Sequence, residues 1–406
     1  MLFRRAAVST DPARVDAFLT RGVSSLYPGQ EAVRSRLLSG KRLKMYLGID
    51  PTAATLHLGH MITLRKLREF QGLGHEAILL IGGFTGQIGD PTDKLATRRR
   101  QTKEEVRENA RLYKAQASRF LSFGGSNPAR ILNNASWLSR LTLAHIIDLS
   151  SHLTVGALLK RDMFEVRIKE GKPIYLHEFL YPLMQGYDSI AMDVDGEIGG
   201  NDQVFNMLVG RDLMGSVLRK DKFVMAMKLL QDPSGRKMGK SEGNMIPFTD
   251  SPQEMFGKIM SWSDNMIAPG FELLTDMSKE ELSHLPALLR TGNPRDLKLT
   301  LATTIVAPLF GKDEAEGARE KFLRTFSRGE IPHDIQTFTF KKSSSLRDAV
   351  MVMTGASGSS AARLIKQGGV TELPQGKKLT NPKMPLEKPM EIRIGKKDFW
   401  SIHPEE

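Results

Sequence analysis

The sequence contains no cysteine among its 406 residues. Disulfide bonds, thiol nucleophiles and cysteine-ligated zinc sites are therefore excluded. A long apolar run is also missing, because the longest candidate, residues 77–82, is much shorter than the roughly 20 residues that a membrane helix needs. Charged residues make up 26% and hydrophobic residues 40% of the chain, which excludes a wholly disordered or fibrous protein. The length predicts two or three domains.

Acidic residues are in deficit, with 46 Asp and Glu against 58 Lys and Arg, a formal net charge of +12. This balance favours a polyanionic partner such as a nucleic acid, although solubility alone would also explain it. The first residues are basic, and no acidic residue precedes Asp11. They lack the apolar core of a secretory signal, so we expect a cytoplasmic protein. A short organellar presequence, and with it the mitochondrial matrix, is the alternative.

The first half of the chain alternates strand and helix patterns. Residues 44–49 and 77–81 are typical of buried strands, and the apolar spacing between them predicts a helix from Leu58 to about Gly72. A capping box at 102–105 predicts a further helix whose apolar face continues to Phe120. A strand, a helix and a strand in this order predict an α/β fold with a Rossmann-like parallel sheet.

The pattern changes near residue 250. Capping boxes at 251–254 and 278–281 predict a helical segment over about 250–330. A polar stretch at 341–345 is typical of a linker. Residues 341–406 contain 12 Lys and Arg and 7 Asp and Glu, a net charge of +5, and include the strand-like residues 390–394. We therefore predict a small basic α+β domain at the carboxyl end.

The strongest local signal is the segment 50–60, where a predicted strand ends and a helix begins. His57 and His60 lie on one face of that helix, and Gly59 between them lets a flat ligand approach the backbone. Free N–H groups and the helix dipole favour a phosphate at such a position. A zinc site and two purely structural histidines are the alternatives.

A second signal is the basic glycine loop 235–241, which carries Lys237 and Lys240. Two ammonium groups on such a loop suit a transient negative charge, such as that of leaving pyrophosphate. The alternative is an ordinary solvated surface loop. The segment is one residue too short for the phosphate-binding loop of P-loop proteins.

Two further segments carry polar groups beside predicted apolar elements. The glycine-rich stretch 82–91 follows a predicted strand, which places Asp90 at the carboxyl edge of the sheet, where open α/β sheets bind ligands. A plain turn with Asp90 as a cap is the alternative there, and the basic cluster at 94–103 is either solvated or borders the pocket. The spacing of Tyr181, Gln185 and Asp188 predicts one helical face, which either binds a polar small molecule or makes core hydrogen bonds.

Taken together, these motifs resemble the bacterial-type tyrosyl-tRNA synthetases, which are class I aminoacyl-tRNA synthetases. Residues 57–60 resemble the HIGH signature of that family and residues 237–241 its KMSKS signature, with Gly239 in place of the middle serine. The resemblance covers about residues 10–330. In the tail, residues 360–369 resemble the small RNA-binding domain that ends many of these enzymes, but residues 371–374 replace its usual Asn-Gly turn.

The resemblance implies the role of each site residue. Tyrosine would be bound by Tyr46, Asp50, Asp90, Tyr181, Gln185, Asp188 and Gln203. The residues expected at ATP are His57, Gly59, His60, Asp202, Lys237, Met238, Lys240 and Ser241. The catalytic groups would be Thr52, His57, His60, Lys94, Arg98, Lys237 and Lys240, and no residue is expected to hold a resident metal.

The resemblance also implies the reaction, the partners and the domains. Tyrosine and magnesium-bound ATP would form tyrosyl-adenylate, and the tyrosyl group would then pass to tRNA(Tyr). We expect a homodimer without membrane contact. The expected domains are a catalytic domain at 1–245 with a dimer-forming insertion at about 120–190, a helical anticodon-binding-type domain at 246–335, and an RNA-binding domain at 341–406. The alternatives are an RNA-binding protein of synthetase descent, for example in splicing, and the related tryptophanyl enzyme.

Overall fold

The structure is a computed structural model, which describes residues 6–91, 101–232, 234–238, 243–327, 336–341, 344–373, 376–395 and 398–405. The chain divides into two compact units, residues 1–315 and 316–406.

The first unit is organised around a six-stranded sheet. Its strands are β1 Val23–Tyr27, β2 Lys44–Ile49, β3 Glu76–Ile81, β4 Arg130–Asn133, β5 Gly196–Gly200 and β6 Phe223–Met227. They lie in the order β1-β6-β5-β2-β3-β4. All neighbouring pairs are parallel except β1 with β6. The predicted parallel α/β sheet is therefore confirmed, and β2 and β3 lie where the sequence placed them.

Helices flank this sheet and connect its strands. Up to β6 they are α1 Pro12–Thr20, α2 Gln30–Leu38, α3 Leu58–Gly72, α4 Thr85–Ile88, α5 Lys103–Ala110, α6 Tyr113–Ala117, α7 Ala135–Leu138, α8 Leu143–Ser150, α9 Val155–Leu159, α10 Asp162–Lys169, α11 Leu176–Met192 and α12 Val204–Leu213. A 3-10 turn over Asn201–Gln203 precedes α12, and a π-helical turn over Met214–Leu218 follows it. In the sequence, β2 precedes α3 and β3 follows it, and the two strands pair in parallel. They therefore form the predicted βαβ unit.

Helices α11 and α12 approach each other closely. A Cβ atom on Gly186 of α11 would lie 3.3 Å from the Cα atom of Gly210 in α12, and 2.8 Å from the side chain of Leu213. The two glycines therefore allow a close crossing of the two helices.

The prediction of one continuous helix from 102 to 120 is wrong. The capping box of Thr102 and Glu105 is present, but the chain forms two short helices, α5 and α6, with a break at residues 111–112. After the break, the Tyr113 hydroxyl donates to the Ala53 carbonyl at 2.7 Å, and the Gln116 side chain accepts from the Leu56 N–H at 2.6 Å. These bonds tie the residues after the break to the loop that follows β2, and they provide the physical reason for the break.

The segment after residue 250 is helical, as predicted. Its helices are α13 Pro252–Met260, α14 Ile267–Leu274, α15 Lys279–Thr291, α16 Pro294–Phe310 and α17 Lys312–Ser327, with a 3-10 turn over Asp264–Met266. Both predicted capping boxes are formed. Helix α13 packs on α16, and α14 packs on α3. The predicted division into a catalytic domain at 1–245 and a helical domain at 246–335 stays a prediction.

The second unit has its own sheet and core. It begins within α17, at residue 316. Its further elements are β7 Gln336–Phe340, α18 Leu346–Thr354, α19 Gly358–Lys366, β8 Val370–Leu373, β9 Lys377–Leu379, β10 Met390–Ile394 and β11 Asp398–Pro404. The strand order is β7-β11-β10-β8-β9, with β7 and β11 parallel. The predicted α+β character and the strand 390–394 are confirmed. Because β7 pairs with β11, this sheet begins before the proposed boundary at 341.

Candidate active site

A cavity of about 580 Å³ lies at the carboxyl edge of the large sheet. It opens beside β2 and β5, where the strand order reverses direction, as is usual for ligand sites in open α/β sheets. Every predicted site residue that the structure describes lines this cavity: Tyr46, Asp50, Thr52, His57, Gly59, His60, Asp90, Tyr181, Gln185, Asp188, Asp202, Gln203, Lys237 and Met238. Local motifs that are far apart in the sequence thus meet in one place.

The two histidines form the beginning of α3. His57 Nδ1 accepts from the Gly59 N–H at 3.0 Å, and His60 Nδ1 accepts from the His57 N–H at 3.2 Å. Burial lowers the pKa of His57 to about 4, with a further contribution from Lys237, and it also lowers the pKa of His60 well below its ordinary value. Both rings are therefore neutral at pH 7. With Nδ1 accepting, each ring carries its hydrogen on Nε2 and can donate it to a ligand.

The lysine segment lies against the same helix start. Lys237 Nζ contacts Asp202 Oδ2 at 2.7 Å. A Cβ atom on Gly59 would come within 3.4 Å of the Met238 carbonyl oxygen. The Leu58 N–H also donates to the Ile246 carbonyl at 3.1 Å. The two motifs that resemble family signatures are consequently neighbours across the mouth of the cavity.

Asp50, directly after β2, is a buried carboxyl with two hydroxyl donors. Thr85 donates to its Oδ1 at 2.6 Å, and Tyr181 donates to its Oδ2 at 2.9 Å. Burial raises the pKa of Asp50 to about 7, and the two hydroxyl donors oppose this rise. A Cβ atom on Gly82 would lie 1.8 Å from Asp50 Oδ1, so only glycine fits at that position.

Asp188 lies deeper in the cavity and is held by two side-chain donors. Trp137 Nε1 donates to its Oδ1 at 2.7 Å, and Asn134 Nδ2 donates to its Oδ2 at 3.1 Å. Burial raises the pKa of Asp188 well above its ordinary value, and both donors lower it again. Its carboxyl group is thus oriented by its neighbours and lines the cavity.

Tyr46 and Gln185 complete the floor of the cavity. The Tyr46 hydroxyl lies 3.1 Å from Ser189 Oγ, and Gln185 Nε2 donates to Glu197 Oε1 at 3.0 Å. Burial, followed by the charges of Glu197 and Asp188, raises the pKa of Tyr46, so its phenol keeps its proton. Near the cavity mouth, Gln203 Nε2 donates to Asp90 Oδ2 at 2.6 Å.

The profile for the class I tRNA synthetases of the W and Y type matches residues 38–327, which is more than half of the chain. The chain belongs to this family. Among its relatives are a tyrosine–tRNA ligase of Moorella thermoacetica, 41% identical over 96% of each chain, and tyrosine–tRNA ligase 2 of Vibrio cholerae, 42% identical over 95% of this chain and 97% of the other.

Solved structures show that the synthetase fold is shared. A C-terminally truncated mitochondrial tyrosyl-tRNA synthetase of Aspergillus nidulans superimposes with a TM-score of 0.63 at 23% identity, covering 77% of this chain and 94% of that one. A tyrosyl-tRNA synthetase of Archaeoglobus fulgidus, solved with L-tyrosine, gives a TM-score of 0.61 at 23% identity, covering 76% and 100%. At 23% identity, the similarity to these two structures shows that the fold is shared.

Four predicted site residues of this synthetase lie outside the described residues: Lys94, Arg98, Lys240 and Ser241. Conversely, sequence reasoning missed several side chains that contact the site, namely Thr85, Asn134, Trp137, Ser189, Glu197 and Lys222. Glu197 lies two residues before the motif 199–203, and this proximity was a usable signal. Thr85 lies within the glycine-rich stretch 82–91 and Ser189 directly follows Asp188, whereas Asn134, Trp137 and Lys222 lie in unremarkable segments.

In the part of the chain that the structure describes, no group of three or more His, Asp or Glu side chains is arranged to hold a metal ion. Among the same residues, no helix is long and apolar enough to cross a membrane.

Proposed function

We propose that this synthetase is a tyrosine–tRNA ligase. One observation carries the proposal: a single cavity brings a phenol and a carboxyl group, Tyr46 and Asp188, together with the two neutral histidines and Lys237. The near-complete alignment with ligases named for tyrosine supports the same substrate.

In this proposal the amino acid is recognised by polar groups on the cavity floor. The substrate phenol donates to Asp188, and its oxygen accepts from Tyr46. The α-ammonium group is held by Asp90, Tyr181 and Gln185. Gln185 Oε1 supports this assignment, because it is buried without a hydrogen-bond partner among the described residues and can accept from an ammonium group. Gln203, next to Asp90, and Asp50 would lie close to the substrate carboxylate.

The phosphates of ATP would be bound at the start of α3. His57 and His60 present Nε2–H donors, Gly59 leaves the backbone open, and Thr52 adds a hydroxyl group. Lys237 would leave Asp202 to neutralise the developing charge on pyrophosphate, while Asp202 lies beside the ribose. The proposed roles of Lys94, Arg98, Lys240 and Ser241 at the nucleotide rest on the resemblance alone, whereas Met238 also lines the cavity.

The reaction then requires no nucleophilic side chain. A carboxylate oxygen of tyrosine attacks the α-phosphorus of ATP in line, a new P–O bond forms, and the bond to pyrophosphate breaks. Magnesium accompanies ATP as part of the substrate. In the second step, a hydroxyl group of the terminal ribose of tRNA(Tyr) attacks the tyrosyl carbonyl, and AMP leaves.

Partners and location are also proposed. The basic second unit would contact tRNA phosphates. A homodimer is supported by exposed apolar side chains that cluster in one stretch of sequence: Leu143, Ile147, Val155, Val166, Ile168 and Leu176. The cytoplasm is proposed because charged tRNA is consumed by ribosomes, a reason that fits the mitochondrial matrix equally well.

Pyrophosphate exchange with tyrosine, phenylalanine and tryptophan tests the proposal. The parent protein should activate tyrosine and strongly reject phenylalanine, because a site built to bind a hydroxyl group rejects the analogue that lacks it. Tyr46→Phe should weaken this discrimination about threefold to tenfold, since one neutral hydrogen bond is lost. Tyr27→Phe, the same change in strand β1, is the control. Preference for tryptophan would indicate the related enzyme, and absence of exchange an RNA-binding protein.

A further inference from the structure

A buried ion pair lies at the floor of the cavity, which Glu197 itself lines. The side chains of Lys222 and Glu197 are 0% and 3% exposed, and the ammonium group contacts Glu197 Oε2. Lys222 Nζ also donates to Ser189 Oγ at 2.9 Å. Burial of two charges usually contributes little net stability, because the desolvation cost offsets their attraction. The pair therefore needs an explanation other than stability.

One arm of the pair acts on Gln185. The Glu197 carboxylate can only accept hydrogen bonds, so the amide nitrogen of Gln185 must face it, as observed at 3.0 Å. The amide oxygen is then directed elsewhere, and it is the buried oxygen that has no partner among the described residues. Glu197 thus decides that Gln185 offers the cavity an acceptor and not a donor.

The other arm acts on Tyr46. The Lys222 ammonium group can only donate, so it occupies a lone pair of Ser189 Oγ. Ser189 can then give its own hydrogen to Tyr46, whose hydroxyl lies 3.1 Å away. Under this arrangement the Tyr46 hydrogen can turn to a ligand in the cavity or to Glu197, whose side chain also hydrogen-bonds Tyr46 and helps to raise the pKa of its phenol.

The fold reserves space for this arrangement. A Cβ atom on Gly210 would lie 2.6 Å from Lys222 Nζ and 2.9 Å from Ser189 Oγ. Gly210 is one of the two glycines at the crossing of α11 and α12. The close crossing therefore leaves just enough room for the ammonium group behind Ser189.

We infer that Lys222 and Glu197, with Ser189, are positioning residues that set the hydrogen-bond polarity of the tyrosine pocket. Through Glu197 they present the oxygen of Gln185 to the substrate ammonium group. Through Ser189 they present the hydroxyl hydrogen of Tyr46 to the phenolic oxygen. This inference rests on the proposed function and adds that the two arms act on different parts of the substrate.

The two arms give separable kinetic signatures. Tyrosine and phenylalanine share the ammonium group, so Glu197→Gln should raise KM for both amino acids by a similar factor, about threefold to tenfold. Phenylalanine lacks the hydroxyl group, so Ser189→Ala should mainly lower the preference for tyrosine over phenylalanine, by about the same factor. Lys222→Met should produce both effects, and Lys222→Gln, which keeps N–H donors, smaller ones. KM for ATP should stay within about twofold throughout.

The experiment is pyrophosphate exchange on the full-length protein, with thermal unfolding to establish that each variant is folded. Lys220→Met is the matched control, because Lys220 lies two residues away in a partly exposed ion pair with Asp193 and Asp195. If Lys222→Met does not fold, the double variant Glu197→Gln, Lys222→Met removes both charges together, and Ser189→Ala tests the tyrosine arm alone.

Folded Ser189→Ala and Glu197→Gln variants with parental KM values and parental amino-acid preference would overturn the inference. So would a purely structural result, in which unfolding temperatures fall but both kinetic signatures are missing. A parent protein that does not activate tyrosine would instead overturn the proposed function, so the two failures are distinguishable.

Discussion

We expect Trp137→Phe to weaken the use of tyrosine while leaving the cavity in place. The Trp137 indole N–H donates to Asp188 Oδ1 at 2.7 Å, and Asn134 donates to the other carboxyl oxygen at 3.1 Å. Phenylalanine keeps an aromatic ring at this position but has no N–H group. Asp188 would therefore lose one of its two side-chain donors among the described residues.

The expected size follows from the kind of bond that is lost. A hydrogen bond to a charged group contributes about 1.5–3 kcal/mol, which corresponds to about a tenfold to 150-fold change in an equilibrium constant. The bond also counteracts the burial that raises the pKa of Asp188. Its loss should raise that pKa further, so the carboxyl group is ionised only at higher pH. The acid limb of tyrosine activation should shift upward in pH.

The assay is tyrosine-dependent pyrophosphate exchange, measured from about pH 6 to pH 9. In Trp137→Phe, KM for tyrosine should rise at least about tenfold, whereas KM for ATP should hardly change. Trp262→Phe, the same substitution in the helical segment after α13, provides the control. Parental KM for tyrosine together with a parental pH profile would refute the idea that Trp137 holds Asp188 ready for the phenol.

Three other outcomes are expected. Burial raises the pKa of Asp50 in the folded protein from 3.8 to about 7, so the contribution of this carboxyl group to stability is lost as the pH rises towards 7. The variant Asp50→Asn does not titrate at this position. Its gain in unfolding free energy over the parent should therefore grow by about 3 kcal/mol between pH 5 and pH 8. This prediction would be contradicted if urea unfolding gave the same difference in unfolding free energy between the variant and the parent at both pH values. Lys237→Ala should slow adenylate formation about 10²–10³-fold and change ATP affinity much less, as single-turnover kinetics would show; the reverse pattern would exclude the assigned role. Truncation after Ser327 should spare pyrophosphate exchange and cripple tRNA charging, so normal charging would assign the second unit another task.

Local sequence patterns predicted much of the fold. The strand at 44–49, the helix from Leu58 to Gly72 and the capping boxes at 251–254 and 278–281 depend on neighbouring residues, and all are present. The failure at residues 102–120 has a non-local cause, because Tyr113 and Gln116 bond to a loop some 60 residues away.

For the candidate site, too, local patterns predicted one part and non-local contacts decided the other. By itself, the sequence determined which short segments carry polar chemistry, since His57 with His60 and Tyr181 with Asp188 are related by helical spacing. Only the tertiary structure decided which of these segments meet and what lies behind them. Trp137 reaches Asp188 from 51 positions away, and Lys222 reaches Ser189 from 33. Such contacts follow from the order of the strands and from the close crossing of α11 and α12, and no local pattern encodes either of these.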